Sequence, residues 1–249
     1  MSHLYILTGA SRGMGLAMAR QLLQPDHALL CIARRDNAEL AAAAQQAGCR
    51  LEQWPLDLAQ SQEAAAMLRQ WLGRPGALYA SATLINNAGM IPHIAPLSAL
   101  DPDELAQALR VGLEAPLLLT AAFLGATESW AVPRRVLNIS SGLGRRPMAS
   151  QAAYCAAKAG MDHFTRCLAL EEAAKPNGAR VCALAPGVID TDMQVQMRSA
   201  NAAEFPDQAR FLQLKSAGQL DSPEQAARKV LAWLNRAEFG TEPVADVRG

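Results

Sequence analysis

Thr8-Gly9-Ala10-Ser11-Arg12-Gly13-Met14-Gly15 follows an apolar run, Leu4-Tyr5-Ile6-Leu7, and leads into a helical pattern, Leu16-Ala17-Met18-Ala19-Arg20-Gln21-Leu22-Leu23. Strand, glycine-rich turn and helix, in that order, make the context of a dinucleotide site. Glycines let the backbone turn sharply and come close to a pyrophosphate, and the free N–H groups at the helix start face the anion. The spacing is G-x-x-x-G-x-G rather than G-x-G-x-x-G. Taken alone, the stretch also reads as a plain strand-to-helix turn.

Outward from this turn, short apolar runs predict strands at 3–8, 28–33, 50–55, 81–86, 134–140 and 179–185. Helical patterns fall at 13–23, 37–47, 60–72, 102–124, 151–174 and 222–235. Such alternation predicts an α/β fold with one doubly wound parallel sheet flanked by helices. No linker divides residues 1–249, so a single domain is expected. Asp36-Asn37-Ala38-Glu39 and Ser222-Pro223-Glu224-Gln225 read as helix starts, the first as a capping box and the second with proline at the first helical position. Residues 191–220 break the alternation and are rich in polar groups and Met. They read as a substrate lid or as a plain connecting helix.

The bulk numbers exclude several classes. Hydrophobic residues make up 51% and charged residues 18%, as in a compact core rather than a disordered chain. A formal net charge of +0 supplies no field toward nucleic acid or acidic lipid. No apolar run reaches the length expected of a membrane span, and the glycine turn interrupts any signal-peptide pattern. The five cysteines contain no C-x-x-C pair, and Cys31 and Cys182 sit inside apolar strands as small hydrophobes. A reducing, cytoplasmic setting without a disulfide framework is expected. No metal site is expected.

Arg34 and Arg35 lie just past the second strand, about twenty residues after the glycine turn. An acid there accepts from the ribose 2′-hydroxyl of NAD, whereas arginine accommodates the 2′-phosphate of NADP. The acid position holds Ala33, and Arg12 in the glycine turn is expected to close on the same phosphate. In the competing reading Asp36 is the ribose acceptor and the arginines are a solvated edge. Asp57, with Leu58 after it, ends the third strand where an adenine amino group would lie, or caps the next helix. Asn86-Asn87-Ala88-Gly89 ends the fourth strand at the same edge, to brace the strands and pack on the adenosine, or simply to turn.

Ser140-Ser141 ends the fifth strand, and Tyr154-Cys155-Ala156-Ala157-Lys158 follows on a helix. Tyr and Lys at i and i+4 share a helix face. A nearby ammonium favours tyrosinate, so the Tyr154 pKa is expected to fall toward neutrality, fitting the phenol for general acid–base work. The same spacing alone is a common surface pair. Pro186-Gly187 at the end of the next strand favours the catalytic reading, and no G-x-S-x-G elbow supports a serine hydrolase.

Together these residues resemble the short-chain dehydrogenase/reductase family over nearly the whole chain. That resemblance implies a single Rossmann-like sheet, a tyrosine that exchanges a proton with the substrate oxygen, a lysine that also binds the nicotinamide ribose, and a serine that polarises the carbonyl. Ser141 matches better than Ser140, because thirteen positions separate it from Tyr154. The C-terminal half is similar to the sepiapterin reductase branch at Tyr154-Cys155, Leu168 to Glu172, Ala185-Pro186-Gly187, Asp190 to Gln194, and Glu238-Phe239 to Asp246. By that likeness Ile189 to Gln194, including Thr191 and Met193, would cover the cofactor's nicotinamide and phosphates. Gly142, Gly187 and Asp246 would touch substrate, unless Asp246 is a solvated tail residue. Bacterial relatives of this type include reductases of benzil and other vicinal diketones. Gly112 falls where many members carry an asparagine that kinks the helix and holds a relay water; glycine permits the kink but supplies no amide.

The expectation is an NADPH-dependent carbonyl reductase with Ser141, Tyr154 and Lys158 as catalytic residues. Its cofactor cradle would comprise Gly9, Ser11, Arg12, Gly13, Met14, Gly15, Arg34, Arg35, Asp57, Leu58, Asn87, Ala88, Gly89, Tyr154, Lys158, Pro186, Gly187, Ile189, Thr191 and Met193. Leu143, Met148, Met193 and Met197 would roof a pocket suited to an aromatic diketone. The alternative is a non-catalytic redox sensor or scaffold, recommended only by Gly112. The apolar surface of helices 102–124 and 151–174 implies a homodimer or homotetramer.

Overall fold

The computed structural model of the chain describes residues 1–74 and 79–249. Among these described residues, seven strands and nine α-helices follow in order: β1 Ser2–Thr8, α1 Gly13–Gln21, β2 His27–Ala33, α2 Ala38–Gln46, β3 Arg50–Pro55, α3 Ser61–Leu72, β4 Tyr79–Asn86, α4 Pro102–Leu109, α5 Ala115–Thr127, β5 Arg134–Ile139, α6 Ala152–Ala173, β6 Arg180–Ala185, α7 Asp192–Arg198, α8 Gln208–Ser216, α9 Pro223–Leu234 and β7 Val244–Asp246. All seven strands are parallel in the order β3-β2-β1-β4-β5-β6-β7. The predicted doubly wound sheet is therefore present. β7 lies outside the predicted set, because three residues carry no period of their own and gain strand character only by pairing with β6.

Alternating side chains divide the core. Leu7, Leu29, Cys31, Leu137 and Leu184 point to the face covered by α1 and α9. Ile6, Leu30, Ile32, Leu84 and Val136 point to the face covered by α3 and α5. Both faces are buried, which is why the strands read as near-continuous apolar runs. Cys31 and Cys182 are buried, and all five cysteines are free thiols.

Two local expectations need correction. Asn37, not Asp36, caps α2, its side chain accepting from Leu40 N at 2.9 Å, while Gln53 on β3 bonds the Asn37 backbone at both ends. The continuous helix Pro102–Thr127 is 26 residues long and largely apolar, so a segment of membrane-spanning length and composition does exist. Half of its most apolar stretch is buried inside the protein, with Ala115, Leu119 and Phe123 packed on the sheet, as in a core helix. The Ser222 start matches the structure fully, with a reciprocal bond between Ser222 and Gln225.

β1 has β2 on one side and β4 on the other, which makes their C-terminal ends the switch point where such sheets bind ligands.

Candidate active site

The carboxyl ends of the strands open on a cleft of about 850 Å³. At one end lies the glycine turn. Gly9 has φ +72°, a left-handed conformation that suits glycine. A Cβ on Gly15 would stand 2.1 Å from Gly9 O and 2.5 Å from Asn87 Nδ2, so the turn closes only with glycine there. Asn87 holds it from the side, donating from Nδ2 to Thr8 O at 2.9 Å, while Thr8 Oγ1 accepts from the backbone of Asn87 and Ala88. Deeper, Asn86 Nδ2 donates to Asn138 Oδ1 at 2.8 Å and to Thr120 Oγ1, and Asn138 bonds Thr165 on α6. The asparagines thus brace β1, β4, β5 and α6 around the cleft floor.

The start of α1 has no side-chain cap and no acid in its first turn. Its amides therefore stay available to an anion. Ala33 and Arg34 line the same wall, with Asp57 and Leu58 beyond them. Asp57 accepts from Ala59 N at 3.0 Å in a turn, and α3 begins only after Gln60. This cradle fits a nicotinamide dinucleotide. Arg35 and Asp36 lie outside the cleft lining, both exposed.

Ser141, Tyr154 and Lys158 meet in the middle of the cleft. Ser141 ends the β5 segment, and its Oγ accepts from Leu143 N at 3.1 Å. Lys158 is 4% exposed and donates to Ile139 O at 2.7 Å. Its ammonium sits 5.6 Å from the Tyr154 ring centre. Burial lowers the Lys158 pKa to about 8, against a smaller opposing pull from Asp162. The expectation that Lys158 draws Tyr154 down to neutrality is corrected. Burial pushes Tyr154 up to about 12, the Ser141 hydroxyl opposes only in part, and the lysine is not a resolved cause. The i,i+4 spacing put both groups on one helix face, but could not reveal that their surroundings are dry.

Below the trio, Ser140 donates to the buried Asp162 carboxylate, one helical turn past Lys158, and Arg145 Nε approaches the other oxygen at 3.8 Å. Between α4 and α5, Arg110–Glu114 form a widened π-turn. Gly112 sits in the middle of this widened turn. A Cβ there would stand 3.1 Å from Ala157 Cβ, so glycine also lets this helix approach α6 beside Lys158.

Residues 191–220 form α7 and α8 over the other end. Met193, Met197, Phe211 and Leu214 cluster with Leu143, Met148 and Tyr154. Arg12 pairs with Asp192, tying the first residue of α7 to the glycine turn, and Asp190 holds Arg198 at 3.4 Å and Lys215 at 2.5 Å. Pro186, Gly187, Ile189 and Thr191 complete the wall, and Gly142 lies beside Ser141. Asp246 is not among the lining residues. Its carboxylate is gripped by Arg248 at 2.8 and 2.6 Å, and the arginine lines the cleft instead. Sequence reading missed Gln107, Val111, Arg210 and Arg248 as wall residues, since none carries a motif, while Gln194 lies in the wall as the Ile189 to Gln194 stretch implied.

Comparison with known proteins agrees with this geometry. The short chain dehydrogenase family model matches residues 3–202. A benzil reductase ((S)-benzoin forming) of Bacillus cereus is 37% identical over 94% of this chain and 94% of its own length. A sepiapterin reductase of Meriones unguiculatus is 35% identical over 94% of this chain and 92% of its own. The crystal structure of a short-chain dehydrogenase/reductase from Burkholderia vietnamiensis superposes with a TM-score of 0.65 at 34% identity, covering 99% and 97% of the two chains. A cradle at the strand ends, a Ser-Tyr-Lys trio in a dry cleft and these relatives lead to one conclusion: the chain belongs to the short-chain dehydrogenase/reductase family.

Proposed function

We propose that the protein is an NADPH-dependent carbonyl reductase acting on a ketone or vicinal diketone of the benzil or sepiapterin type. The observation that carries this reading is the meeting of Ser141, Tyr154 and Lys158 in one cleft under an apolar wall of Met193, Met197 and Phe211. The nicotinamide, when bound, supplies the hydride. Tyr154 gives its proton to the ketone oxygen; a phenol held well above neutrality is fully protonated for that task. Ser141 Oγ accepts from Leu143 N, which leaves its own hydrogen to donate to the developing oxyanion. Lys158 is charged below about pH 8 and steadies the tyrosinate that proton transfer leaves behind. Apolar side chains keep water from the reacting carbonyl.

Arg34, in the cleft wall next to Ala33, supports NADP over NAD, since guanidinium pairs with a 2′-phosphate by charge and shape. Arg12 and Arg35 belong to the same proposed set. Asp246 enters as a positioning group for Arg248 rather than as a direct contact. Large apolar side chains exposed on α5 and α6, Leu117 and Leu170, support a homodimer or homotetramer. Free thiols at all five cysteines support a cytoplasmic setting. Nothing in the cleft favours nucleic acid or membrane as partner, and the substrate is a small molecule.

The test is loss of NADPH absorbance, with NADH in parallel, against benzil, sepiapterin, a small aliphatic diketone and a simple ketone. Turnover that prefers NADPH and falls at least about a thousandfold in Tyr154→Phe, with NADPH binding retained, is the expected result. A Tyr154→Phe variant that keeps most of its turnover overturns the assignment. Tight NADPH binding with no turnover of any carbonyl would favour the sensor or scaffold.

A further inference from the structure

Asp162 is 1% exposed, and it lies outside the cleft lining, beneath the trio. Its Oδ1 accepts from Ser140. Its Oδ2 is buried without a hydrogen bond, with Arg145 Nε 3.8 Å away. Burying a carboxylate is costly, and an unsatisfied buried oxygen adds to the cost. A neutral amide here would accept from Ser140 as well, so that bond alone does not call for an acid. What the acid adds is negative charge, four residues from the Lys158 ammonium on the same face of α6.

The carboxylate also brackets Ser141. Before it, Ser140 is bonded to Oδ1. After it, Gly142–Gly144 form a tight turn against Oδ2, where a Cβ on Gly144 would stand 2.8 Å from that oxygen and 2.9 Å from Lys158 O. Gly144 N donates to Ser141 O at 3.0 Å and closes the turn. Ser141 therefore lies between two segments packed on Asp162. The charged groups acting on the carboxyl are Lys158 and Arg166 on α6 and Arg145 after β5. The Cys182 thiol on β6, which burial pushes up to about 12, is neutral. Beside Lys158 stand the neutral phenol of Tyr154 and the backbone of Ile139 and Gly89, and Asp162 is the charge that opposes burial there.

We propose that Asp162 is a positioning residue for the reduction, holding Ser141 from both sides and supplying the negative charge that faces Lys158. This deepens the reductase reading and rests on it. Without the charge, burial acts on Lys158 unopposed, and the ammonium that steadies the tyrosinate is lost at lower pH. Without the bond to Ser140, Ser141 drifts from the substrate oxygen.

The experiment measures kcat and KM for benzil from about pH 5.5 to 9 in wild type, Asp162→Asn, Asp162→Ser and Ser140→Ala. The two Asp162 variants keep an acceptor for Ser140 and lose the charge; Ser140→Ala keeps the charge and loses the bond. In wild type the alkaline loss of kcat should centre near the Lys158 pKa of about 8. In the Asp162 variants it should move down by about one unit, so that kcat falls about fivefold at pH 8 and less than about twofold at pH 6. In Ser140→Ala kcat should fall about tenfold at every pH, with KM and the midpoint unmoved. Equal losses at the two pH values in the Asp162 variants, or wild-type kcat in Ser140→Ala, overturn the proposal, because a merely structural acid moves no midpoint. Thermal melts identify a loss that reflects misfolding, and the better-folded Asp162 variant decides. Lys158 is also titrated without turnover, by the Cε NMR resonance of isotope-labelled lysine, assigned by its absence in Lys158→Met. The same downward shift supports the proposal, and an unmoved midpoint overturns it. If wild-type protein reduces no carbonyl, the reductase reading fails, and this titration still decides whether Asp162 holds the charge on Lys158.

Discussion

Lys158 carries a cost that its proposed role requires. An ammonium 4% exposed, with its pKa lowered by burial to about 8, destabilises the fold while it is charged. In the unfolded chain the same lysine titrates near its ordinary 10.5. The cost is therefore fully present below about pH 8 and fades as pH rises to 10.5, so this group alone makes stability increase across that window. Tyr154 acts in the opposite sense at higher pH: its pKa, raised to about 12, removes stability between about pH 10 and 12. Lys158→Met should abolish reduction yet be more stable than wild type by ~2 kcal/mol at pH 7, allowing for the bond to Ile139 O that it loses. Urea melts from pH 7 to 10.5 should show the difference closing. A variant less stable than wild type at every pH would show that Lys158 is not held at a depressed pKa. The trio was legible in sequence because Ser141, Tyr154 and Lys158 have fixed separations. The direction of the Tyr154 shift was not, because desolvation depends on side chains from α7 and α8 that have no fixed spacing from it.

Among the elements, the glycine turn and the helix after it were read correctly because their chemistry is local. Gly15→Ala tests that reading. Its methyl would meet a backbone oxygen at 2.1 Å, and a carbonyl fixed in the turn has no room to give. A loss of about 3 kcal/mol in urea denaturation, together with loss of NADPH binding, is expected. Near-normal stability and binding would mean the turn opens freely. The Asp36 capping box failed for a related reason: Gln53, sixteen residues away on β3, fixes the Asn37 backbone and makes Asn37 the cap. β7 is a similar case, three residues ordered by β6. At Gly112 the helix widens into a π-turn, and the absence of a side chain lets it come close to Ala157.

At the scale of the whole molecule, the helix Pro102–Thr127 and α6 carry apolar side chains on two sides. One side is spent on the sheet. On the other, Leu170 is 77% exposed, with Leu117 also outside. A surface of this kind fits a helix-to-helix contact between copies. If copies pair through this surface, as proposed, Leu170→Glu should shift the protein by light scattering from that oligomer to a smaller species, with the fold intact by circular dichroism. A monomeric wild type would remove the premise.

What the sequence determined by itself was everything set by local spacing: the α/β alternation, the glycine turn, the Ser222 cap and the Ser141, Tyr154 and Lys158 trio. What only the tertiary structure decided was each group's environment. It placed Arg34 but not Arg35 in the cleft wall, handed Asp246 to Arg248, and raised the pKa of Tyr154. The physical reason is that hydrogen-bond satisfaction and desolvation are sums over neighbours brought from distant parts of the chain, and no period or motif in one segment records what the others contribute.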